Sequence, residues 1–566
     1  MDALNLTLLA GASLLFIGLL LGHLSVRFGV PSLLVFLLVG MAAGVDGPLG
    51  IRFSDFETGY LVSNIALAVI LLDGGLRTRF GAFRAGLRPA LTLATLGVVI
   101  TAGLVGAFAC WLMQLDWRLG LLLGGIIGST DAAAVFNVIK GSGLRLNERV
   151  AGTLEIESGL NDPMAIFITV ALVELLSQAG SQPGLAMALT LVQQFGVGAL
   201  LGGALGFGLA ALLTRMRSNE GLHALMLCAG GASIFAVTNA AGGSGFLAVY
   251  LVGLIAGNRE GGVSDSVLDA MDSIAWLAQS GMFLLLGLLV TPSQLNTHGI
   301  DALWIAAFLI LVARPLAVWL CLLPFAFRWR EKVFVAWTGL RGAVPIVLAM
   351  FPLLAGIGET RLLFDVTFVV VLASLLFQGA SMRFVARWLR VTLPVMPEPL
   401  QMTPLAGARN RYLLQFRIEP GARAQGQEVR QLAGTNAVPL LVMRGDDKLP
   451  VAEGLIAEEA DRITWLAPLT EKEMLADLCQ TITPSIKRYY GDFTVRGDAQ
   501  VSDIALAYGV TGLTDKQLAL TLAQLFARQI GGRPVEGDTL FLGGLRLRVR
   551  SMDGERVHQV SIRLPH

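Results

Sequence analysis

Two aspartates inside apolar segments are the residues of this chain best placed to do chemistry. Asp131 lies thirteen positions after Arg118, and Asp162 thirteen after Arg149, so each is roughly 20 Å along a helix from a charged end. A carboxylate in hydrocarbon costs several kcal/mol unless it is paired or hydrated. The positions predict that the two carboxylates meet near the middle of a bilayer, where such a pair can bind protons or cations.

The residues around Asp162 suggest how a cation would be held. Ser158 and Asp162 are four positions apart and share one helix stripe, while Glu157 and Asn161 share the neighbouring stripe. The run Gly-Ser-Thr before Asp131 and the proline after Asp162 weaken helical hydrogen bonding and can free backbone carbonyls as ligands. The alternative interpretation is that both aspartates are satisfied by nearby hydroxyls and arginines and serve folding alone.

Two arginines, Arg314 and Arg341, lie at matching depth in later apolar segments. We expect Arg314 to hold Glu157 in a permanent ion pair, which would leave Asp162 and Asp131 as the titrating carboxylates. Arg341 is expected to lie beside a helix break formed by glycines and a proline in the run Gly-Leu-Arg-Gly-Ala-Val-Pro. The alternative is that both arginines only cross-brace helices.

The composition requires a bilayer to position these residues. Of 566 residues, 54% are hydrophobic and 15% charged, with mean hydropathy +0.68, which excludes an ordinary soluble chain and a disordered one. Charge density about doubles after residue 400, so a soluble tail is expected to follow an all-α polytopic membrane domain. Neither part is basic enough to indicate nucleic-acid binding. About thirteen spans are predicted over residues 3–22, 30–45, 60–76, 89–113, 118–139, 149–177, 188–214, 221–240, 243–258, 271–290, 301–325, 332–355 and 363–388.

Basic residues are distributed unequally between alternate loops, which predicts the orientation. The odd-numbered loops are rich in arginine and lysine, whereas the even-numbered loops offer only Arg52, Arg118 and Arg361. The basic side of a membrane protein is normally cytoplasmic. The N-terminus is therefore expected outside and the C-terminal tail inside the cell.

Other classes of function find little support in the sequence. The histidines and cysteines form no cluster with metal-ligand spacing, so no resident metal or cofactor is predicted. No set of nucleophile, base and oxyanion donors can be assembled, which disfavours an enzyme. A regulated potassium channel stays open as an alternative, although no Thr-Val-Gly-Tyr-Gly-like filter occurs.

The runs Gly-Ser-Thr-Asp-Ala at 128–132, Glu-Ser-Gly-Leu-Asn-Asp-Pro at 157–163 and Gly-Leu-Arg-Gly-Ala at 339–343 carry a family resemblance. The chain resembles the cation/proton antiporters of the NhaP and sodium/proton-exchanger type. The resemblance implies a bacterial inner-membrane homodimer with inverted repeats, in which the fifth and twelfth segments are unwound and cross near the site. The implied mechanism is alternate binding of a proton and a monovalent cation at one carboxylate.

The resemblance also assigns roles to residues. Asp162 would be the carboxylate that exchanges cation and proton, and Asn161 would replace a second acid, which implies electroneutral exchange. The other implied ligands are Thr130 through its carbonyl, Asp131 and Ser158. Asp73 matches a position of a further acid in relatives, although it is equally explained as a helix-end charge beside Arg77.

The tail divides into two predicted α/β domains after a proline-rich linker at 391–410. Residues 411–482 resemble the TrkA-C domain, and residues 488–566 resemble the transport-associated domain of CorC and HlyC-type proteins, with a strand expected over 539–549. This combination implies a potassium/proton antiporter for potassium and cell-volume control, with sodium/proton exchange as an alternative. The tail could bind a small regulatory ligand or strengthen a dimer.

Overall fold

The protein is described by a computed structural model that divides into two units, Met1–Thr392 and Leu393–His566. The structure describes residues 2–28, 31–53, 55–78, 80–140, 145–177, 185–216, 220–259, 263–295, 298–394, 399–405, 411–432, 436–468, 471–480, 489–491, 493–530, 533–553 and 556–564.

The first unit is built of helices, with a two-residue strand, β1, at Arg145–Leu146 and another, β2, at Thr392–Leu393 where the units adjoin in sequence. Short π-helical turns at Leu93–Gly97, Leu309–Ala313 and Leu375–Gly379 join α4 to α5, α14 to α15 and α18 to α19. The helices are α1 (Asp2–Phe28), α2 (Ser32–Ala43), α3 (Phe56–Arg77), α4 (Phe80–Thr92), α5 (Val98–Met113), α6 (Trp117–Ile126), α7 (Ala132–Lys140), α8 (Glu148–Ser177), α9 (Leu185–Arg215), α10 (Glu220–Ala240), α11 (Gly245–Gly257), α12 (Asp265–Leu289), α13 (Pro292–Leu295), α14 (Gly299–Phe308), α15 (Arg314–Cys321), α16 (Trp329–Trp337), α17 (Val344–Leu354), α18 (Thr360–Ser374) and α19 (Ala380–Trp388).

Eight helical segments within the described residues are long and apolar enough to cross a bilayer. Five further apolar helices are shorter, at 10–17 residues. The chain is therefore a multi-pass membrane protein, whereas the count of thirteen spans stays a prediction. The eight long segments are Phe56–Arg77, Gly86–Met113, Glu148–Ser177, Val192–Arg215, Gly221–Ala240, Ser266–Leu289, Gly299–Cys321 and Thr360–Trp388.

Two of the shorter apolar helices belong to interrupted pairs. Between α6 and α7 the backbone leaves the helix from Ile127 to Asp131, and between α16 and α17 it does so from Thr338 to Ala343. We call these segments the first break and the second break. Both coincide with the glycine-containing runs from which unwinding was expected, because glycine and small polar residues stabilise a helix poorly.

Helices α3 and α11 pack against each other at very short distance. Gly75 and Gly253 face each other, and a Cβ added to Gly253 would lie 2.9 Å from the backbone nitrogen of Leu76. Only residues without a side chain permit this approach in a membrane interior. The two helices consequently form one close pair, whose ends lie beside α8.

Among its described residues, the second unit contains two antiparallel sheets and four helices. One sheet has the order β3-β4-β7-β5-β6 and the other the order β8-β11-β10-β9. The strands are β3 (Gln401–Pro404), β4 (Tyr412–Arg417), β5 (Val438–Arg444), β6 (Asp447–Pro450), β7 (Arg462–Ala467), β8 (Phe493–Arg496), β9 (Thr539–Leu542), β10 (Leu545–Asp553) and β11 (Arg556–Arg563). The helices are α20 (Lys472–Cys479), α21 (Val501–Tyr508), α22 (Asp515–Leu518) and α23 (Leu522–Gln529).

Two details of the tail differ from the prediction. The expected linker at 391–410 contains β3, which pairs with β4 and therefore belongs to the first sheet. The single strand expected over 539–549 is a hairpin, because Gly543 and Gly544 have positive φ angles of 53° and 93° and form the tight turn between β9 and β10. The domain limits 411–482 and 488–566 stay predictions.

Candidate functional site

The two breaks meet inside the membrane unit. The backbone nitrogen of Asp131, at the end of the first break, donates a hydrogen bond of 2.8 Å to the carbonyl of Leu340 in the second break. The Asp131 carboxylate accepts a hydrogen bond of 3.0 Å from the backbone nitrogen of Ala134 and so caps the start of α7. One side chain thus serves both as a helix cap and as a charge at the crossing.

Asp162 lies on α8 next to the first break. Its side chain is buried, with 3% of the residue exposed, and one carboxylate oxygen accepts a short hydrogen bond from the hydroxyl of Ser129. Ser129 is itself buried, so this contact is shielded from bulk water. The remaining carboxylate oxygen is the group at this position that can bind a proton or a cation.

Ser158 and Asn161 attach α8 to the first break. The hydroxyl of Ser158 donates to the carbonyl of Thr130 at 3.0 Å and accepts from the backbone nitrogen of Ala132 at 3.1 Å. The amide nitrogen of Asn161 donates to the hydroxyl of Thr130 at 2.5 Å. The Thr130 carbonyl, expected as a cation ligand, is therefore already bonded to Ser158 in this conformation.

Arg341 connects the second break to the first. Its guanidinium donates to the carbonyls of Gly128 and Ser129 at 2.7 and 2.5 Å, and the residue is 0% exposed. Gly342 follows it, and a Cβ there would lie 2.6 Å from the Cβ of Asp131. The absence of a side chain at Gly342 is thus what allows the two breaks to touch.

Glu157 and Arg314 form a buried ion pair. The nitrogen–oxygen distance is 2.6 Å, and the two side chains are 1% and 3% exposed. Removing either partner of such a pair would leave the other as an uncompensated buried charge. Arg341, expected beside a helix break, lies in the second break, and its hydrogen bonds go to the carbonyls of the first break.

Asp73 lies in a different set of contacts. Its carboxylate pairs with Arg77 at 3.0 Å, and Arg77 also reaches Asp272 at 3.2 Å and the carbonyl of Leu268 at 2.9 Å. This arrangement ties the end of α3 to α12, as expected for a helix-end charge. A role for Asp73 as a cation ligand stays a prediction.

Sequence reasoning left out three side chains that the structure brings into the site. Ser129 donates to Asp162, while Ser374 and Gln378 support the second break. Ser129 could have been found, since it lies within the quoted run beside Asp131. Ser374 and Gln378 lie in an ordinary apolar stretch, and their contact with the break depends on tertiary packing that spacing does not reveal.

The charges at the crossing do not balance. Among the described residues there, three carboxylates, Asp131, Glu157 and Asp162, face two guanidiniums, Arg314 and Arg341. Guanidinium groups keep their charge in proteins, so one negative charge is in excess when all three carboxylates are ionised. One proton or one monovalent cation neutralises it. Within the described part of the chain, no group of three or more His, Cys, Asp or Glu side chains is arranged as a metal centre.

Two broken membrane helices that cross beside a buried carboxylate are the architecture of a secondary transporter. The comparisons with known proteins agree with this class. Residues 11–388 match the family described as sodium/hydrogen exchanger, transmembrane, and the chain belongs to that family. The expectation of a transporter instead of an enzyme is thereby confirmed.

Relatives match along the whole chain. The K(+)/H(+) antiporter NhaP2 of Shewanella oneidensis is 43% identical, with 100% of this chain and 99% of the relative covered. The K(+)/H(+) antiporter NhaP of Alkalimonas amylolytica is 39% identical over 98% of this chain and 97% of the relative. The structure of the sodium proton antiporter MjNhaP1 from Methanocaldococcus jannaschii superposes with a TM-score of 0.60 at 26% identity, covering 68% of this chain and 99% of that one.

One of the two families expected in the tail, the transport-associated domain of CorC and HlyC-type proteins, is confirmed. Residues 486–566 match the transporter associated domain family, CorC_HlyC. The family shown in the tail is this one and not TrkA-C, and the TrkA-C assignment of residues 411–482, which lie outside the matched range, finds no support. The TrkA-C-regulated channel loses its basis with that assignment.

Proposed function

We propose that this protein is a potassium/proton antiporter in which Asp162 is the exchanging carboxylate. The observation that carries the proposal is the buried Asp162 side chain beside two crossing helix breaks, in a chain whose full-length relatives bear the name K(+)/H(+) antiporter. Asp131, Ser158, Thr130 and Asn161 surround it and are the proposed accessory ligands.

The mechanism is competition for one site. A carboxylate that has left water binds either a proton or a dehydrated cation, and binding one excludes the other. If the helices around the crossing reorient only when the excess charge is neutralised, each cycle moves a cation one way and a proton the other. No nucleotide is needed, because the gradient of one ion drives transport of the other.

The charge count supports one-for-one exchange. Asn161 contributes no charge, Glu157 is paired with Arg314, and Arg341 offsets one of the two aspartates, so a net single negative charge is available at the crossing. Either substrate neutralises it equally. We therefore infer electroneutral exchange of cytoplasmic potassium for external protons, which suits the control of potassium and cell volume.

Sodium is the second candidate substrate. It is favoured by the likeness to the sodium proton antiporter MjNhaP1, but that likeness covers 68% of this chain. The relatives named for potassium match both units and are more similar in sequence. Potassium is consequently the proposed substrate.

Purified protein in liposomes tests the proposal. A pH gradient is established, potassium or sodium is added, and proton movement is followed with a pH-sensitive dye for wild type and Asp162→Asn. We expect potassium to dissipate the gradient in wild type and Asp162→Asn to lose at least a hundredfold in rate, since the amide neither ionises nor exchanges protons.

Asp365→Asn is the matched control. Asp365 is a carboxylate in α18 that pairs with Arg361 at 3.5 Å, away from the helix breaks. This variant should retain exchange. Potassium flux without proton movement, or full activity in a folded Asp162→Asn variant, would refute the proposal. Proton movement with sodium alone would reassign the substrate.

The same proposal covers the membrane location, the orientation and the assembly of the protein. We infer an inner-membrane protein with an external N-terminus, a cytoplasmic tail and a homodimeric assembly. The positive loops support the orientation. The transporter associated domain supports a regulatory role for the tail, through a small ligand or through the dimer.

A further inference from the structure

A second carboxylate, Glu155, lies on the same stripe of α8 as the site. Glu155 precedes Ser158 by three positions and Asp162 by seven, so it points in nearly the same direction about 10 Å closer to the start of the helix. Glu155 is partly buried, unlike Glu157, which faces Arg314. The stripe therefore continues from the site toward the membrane face where α8 begins.

The stripe is covered by two residues from α11 and the end of α3. The hydroxyl of Thr78 donates to Glu155 Oε1 at 2.7 Å, and the hydroxyl of Tyr250 lies 3.5 Å from that of Thr78. The Tyr250 ring lies against Gly159, where an added Cβ would come within 2.9 Å of the ring. Thr78 and Tyr250 are 0% and 2% exposed. Together they close the stripe between Glu155 and Asp162.

Thr78 and Tyr250 are carried by one close helix pair. Gly75 and Gly253 bring α3 and α11 together, and the side-chain amide of Asn258 donates to the Thr78 carbonyl at 2.7 Å. Glu155, in contrast, belongs to α8, which also carries Asp162. Any movement of α8 relative to the α3–α11 pair must therefore break the bond between Thr78 and Glu155.

A cavity between α3, α8 and α17 is lined by Asn64, Thr169 and Phe351, among others, and Thr169 lies seven positions beyond Asp162 on α8. The structure thus has a cavity on one side of Asp162 and a covered polar stripe on the other.

We propose that Glu155 is a second binding site for the transported monovalent cation, kept closed by Thr78 and Tyr250. When α8 moves away from α3 and α11, Glu155 Oε1 loses the Thr78 donor and can contact a partly hydrated cation. The cation then passes along the stripe, past Gly159, to Asp162. This inference rests on the proposed exchange of a cation for a proton at Asp162.

The two partners of the closing hydrogen bond are predicted to have opposite effects. Glu155→Gln keeps an oxygen that accepts from Thr78 but removes the charge that attracts the cation. We expect it to raise the KM for potassium about tenfold, measured at the face where α8 begins. Thr78→Val removes the donor, favours the open stripe and is expected to lower that KM severalfold.

The experiment uses full-length protein in right-side-out and inverted vesicles from a host without its own potassium/proton exchange. Potassium-dependent proton movement gives KM and maximal rate at each face. KM at the face where α8 ends should change less than twofold in both variants. Glu174→Gln, the same substitution at the other end of α8, and Thr101→Val, which removes a hydroxyl bonded to Gly97 in its own helix, are controls expected to leave both values unchanged.

The outcomes separate this inference from the proposed function. Wild-type vesicles without potassium-dependent proton movement refute the proposed function itself. Wild-type exchange combined with an unchanged KM in Glu155→Gln, or with the same direction of change in both variants, refutes the role of Glu155 alone. If Glu155→Gln does not fold, Glu155→Asp replaces it. This variant keeps the charge and should hold KM within threefold of wild type, and a larger rise overturns the inference.

Discussion

In both helix breaks a serine hydroxyl satisfies a backbone nitrogen, but the charged side chains of the two breaks have opposite signs. In each, a serine hydroxyl from a later apolar helix accepts a hydrogen bond from a backbone nitrogen that lies in the unwound turn or directly after it. Ser158 does so for Ala132 at 3.1 Å, and Ser374 for Arg341 at 2.9 Å. The first break, however, directs the hydroxyls of Ser129 and Thr130 toward α8, whereas the second directs a guanidinium back at the first.

The carbonyls of the breaks are satisfied differently as well. Arg341 takes the carbonyls of Gly128 and Ser129, while the Trp337 carbonyl ahead of the second break accepts from Gln378 at 2.8 Å. A charged donor therefore serves the first break and a neutral amide serves the second. Since buried carbonyls need donors, both arrangements are required for folding.

This difference shows that two helix breaks of similar backbone path can carry side chains of opposite charge. The first break and α8 carry the aspartates Asp131 and Asp162, and the second break supplies the positively charged Arg341. Had both breaks carried acids, the crossing would hold more negative charge than one substrate ion neutralises. The asymmetry lies in the side chains and not in the path of the backbone.

Replacing Arg341 is expected to have the largest effect. Arg341→Gln leaves two buried carbonyls with a weaker donor and removes one positive charge from the crossing, which should lower the free energy of unfolding by about 3–5 kcal/mol and abolish exchange. Thermal unfolding in detergent and the liposome assay measure both. A variant with wild-type stability and exchange would show that the guanidinium is not the link between the breaks.

Gly342→Ala and Gly128→Ala compare the space inside the two breaks. A Cβ at position 342 overlaps Asp131, whereas a Cβ at position 128 comes no closer than 3.1 Å, to the Gly125 carbonyl. Overpacking costs about 1–3 kcal/mol, so we expect Gly342→Ala to reduce exchange at least tenfold and Gly128→Ala by less than threefold. Equal rates in the two variants would contradict the contact between Gly342 and Asp131.

The membrane part of this molecule was largely predictable because its signals are local in sequence. Hydropathy located the apolar segments, and glycine with small polar residues indicated both unwound turns. The tail was less predictable. The hairpin at Gly543 and Gly544 was missed because alternating residues continue on both sides of the turn, and β3 was missed because a proline-rich stretch suggested a linker.

The site was predictable where residues on one helix face act together. The stripe of α8 places Ser158 and Asp162 side by side, and depth alone suggested the pairing of Glu157 with Arg314. The partner of Arg341 could not be deduced, because an unwound turn has no fixed period from which to project a side chain. The same reason hid Ser374 and Gln378, whose role exists only after the second break has folded.

Gln378→Leu tests the neutral support of the second break. The leucine fills a similar volume but leaves the Trp337 carbonyl without its donor, which should cost about 1–2 kcal/mol of stability. The charge at the crossing is unchanged, so KM for potassium should stay within twofold of wild type. Denaturation in detergent and potassium titration of exchange measure the two effects. A large rise in KM with normal stability would mean that Gln378 acts on the site directly.

Ser158→Ala and Ser374→Ala form a matched pair of variants, one for each break. Each removes one hydroxyl that supports one break, so each should cost about 1 kcal/mol of stability. Only Ser158 shares a helix stripe with Asp162, and it also holds the Thr130 carbonyl at 3.0 Å. We therefore expect KM for potassium to rise about threefold to tenfold in Ser158→Ala and to stay near wild type in Ser374→Ala, with similar unfolding temperatures. Equal KM values would mean that the first break positions Asp162 without Ser158, and the chemical difference between the breaks would then reduce to the carboxylates and Arg341.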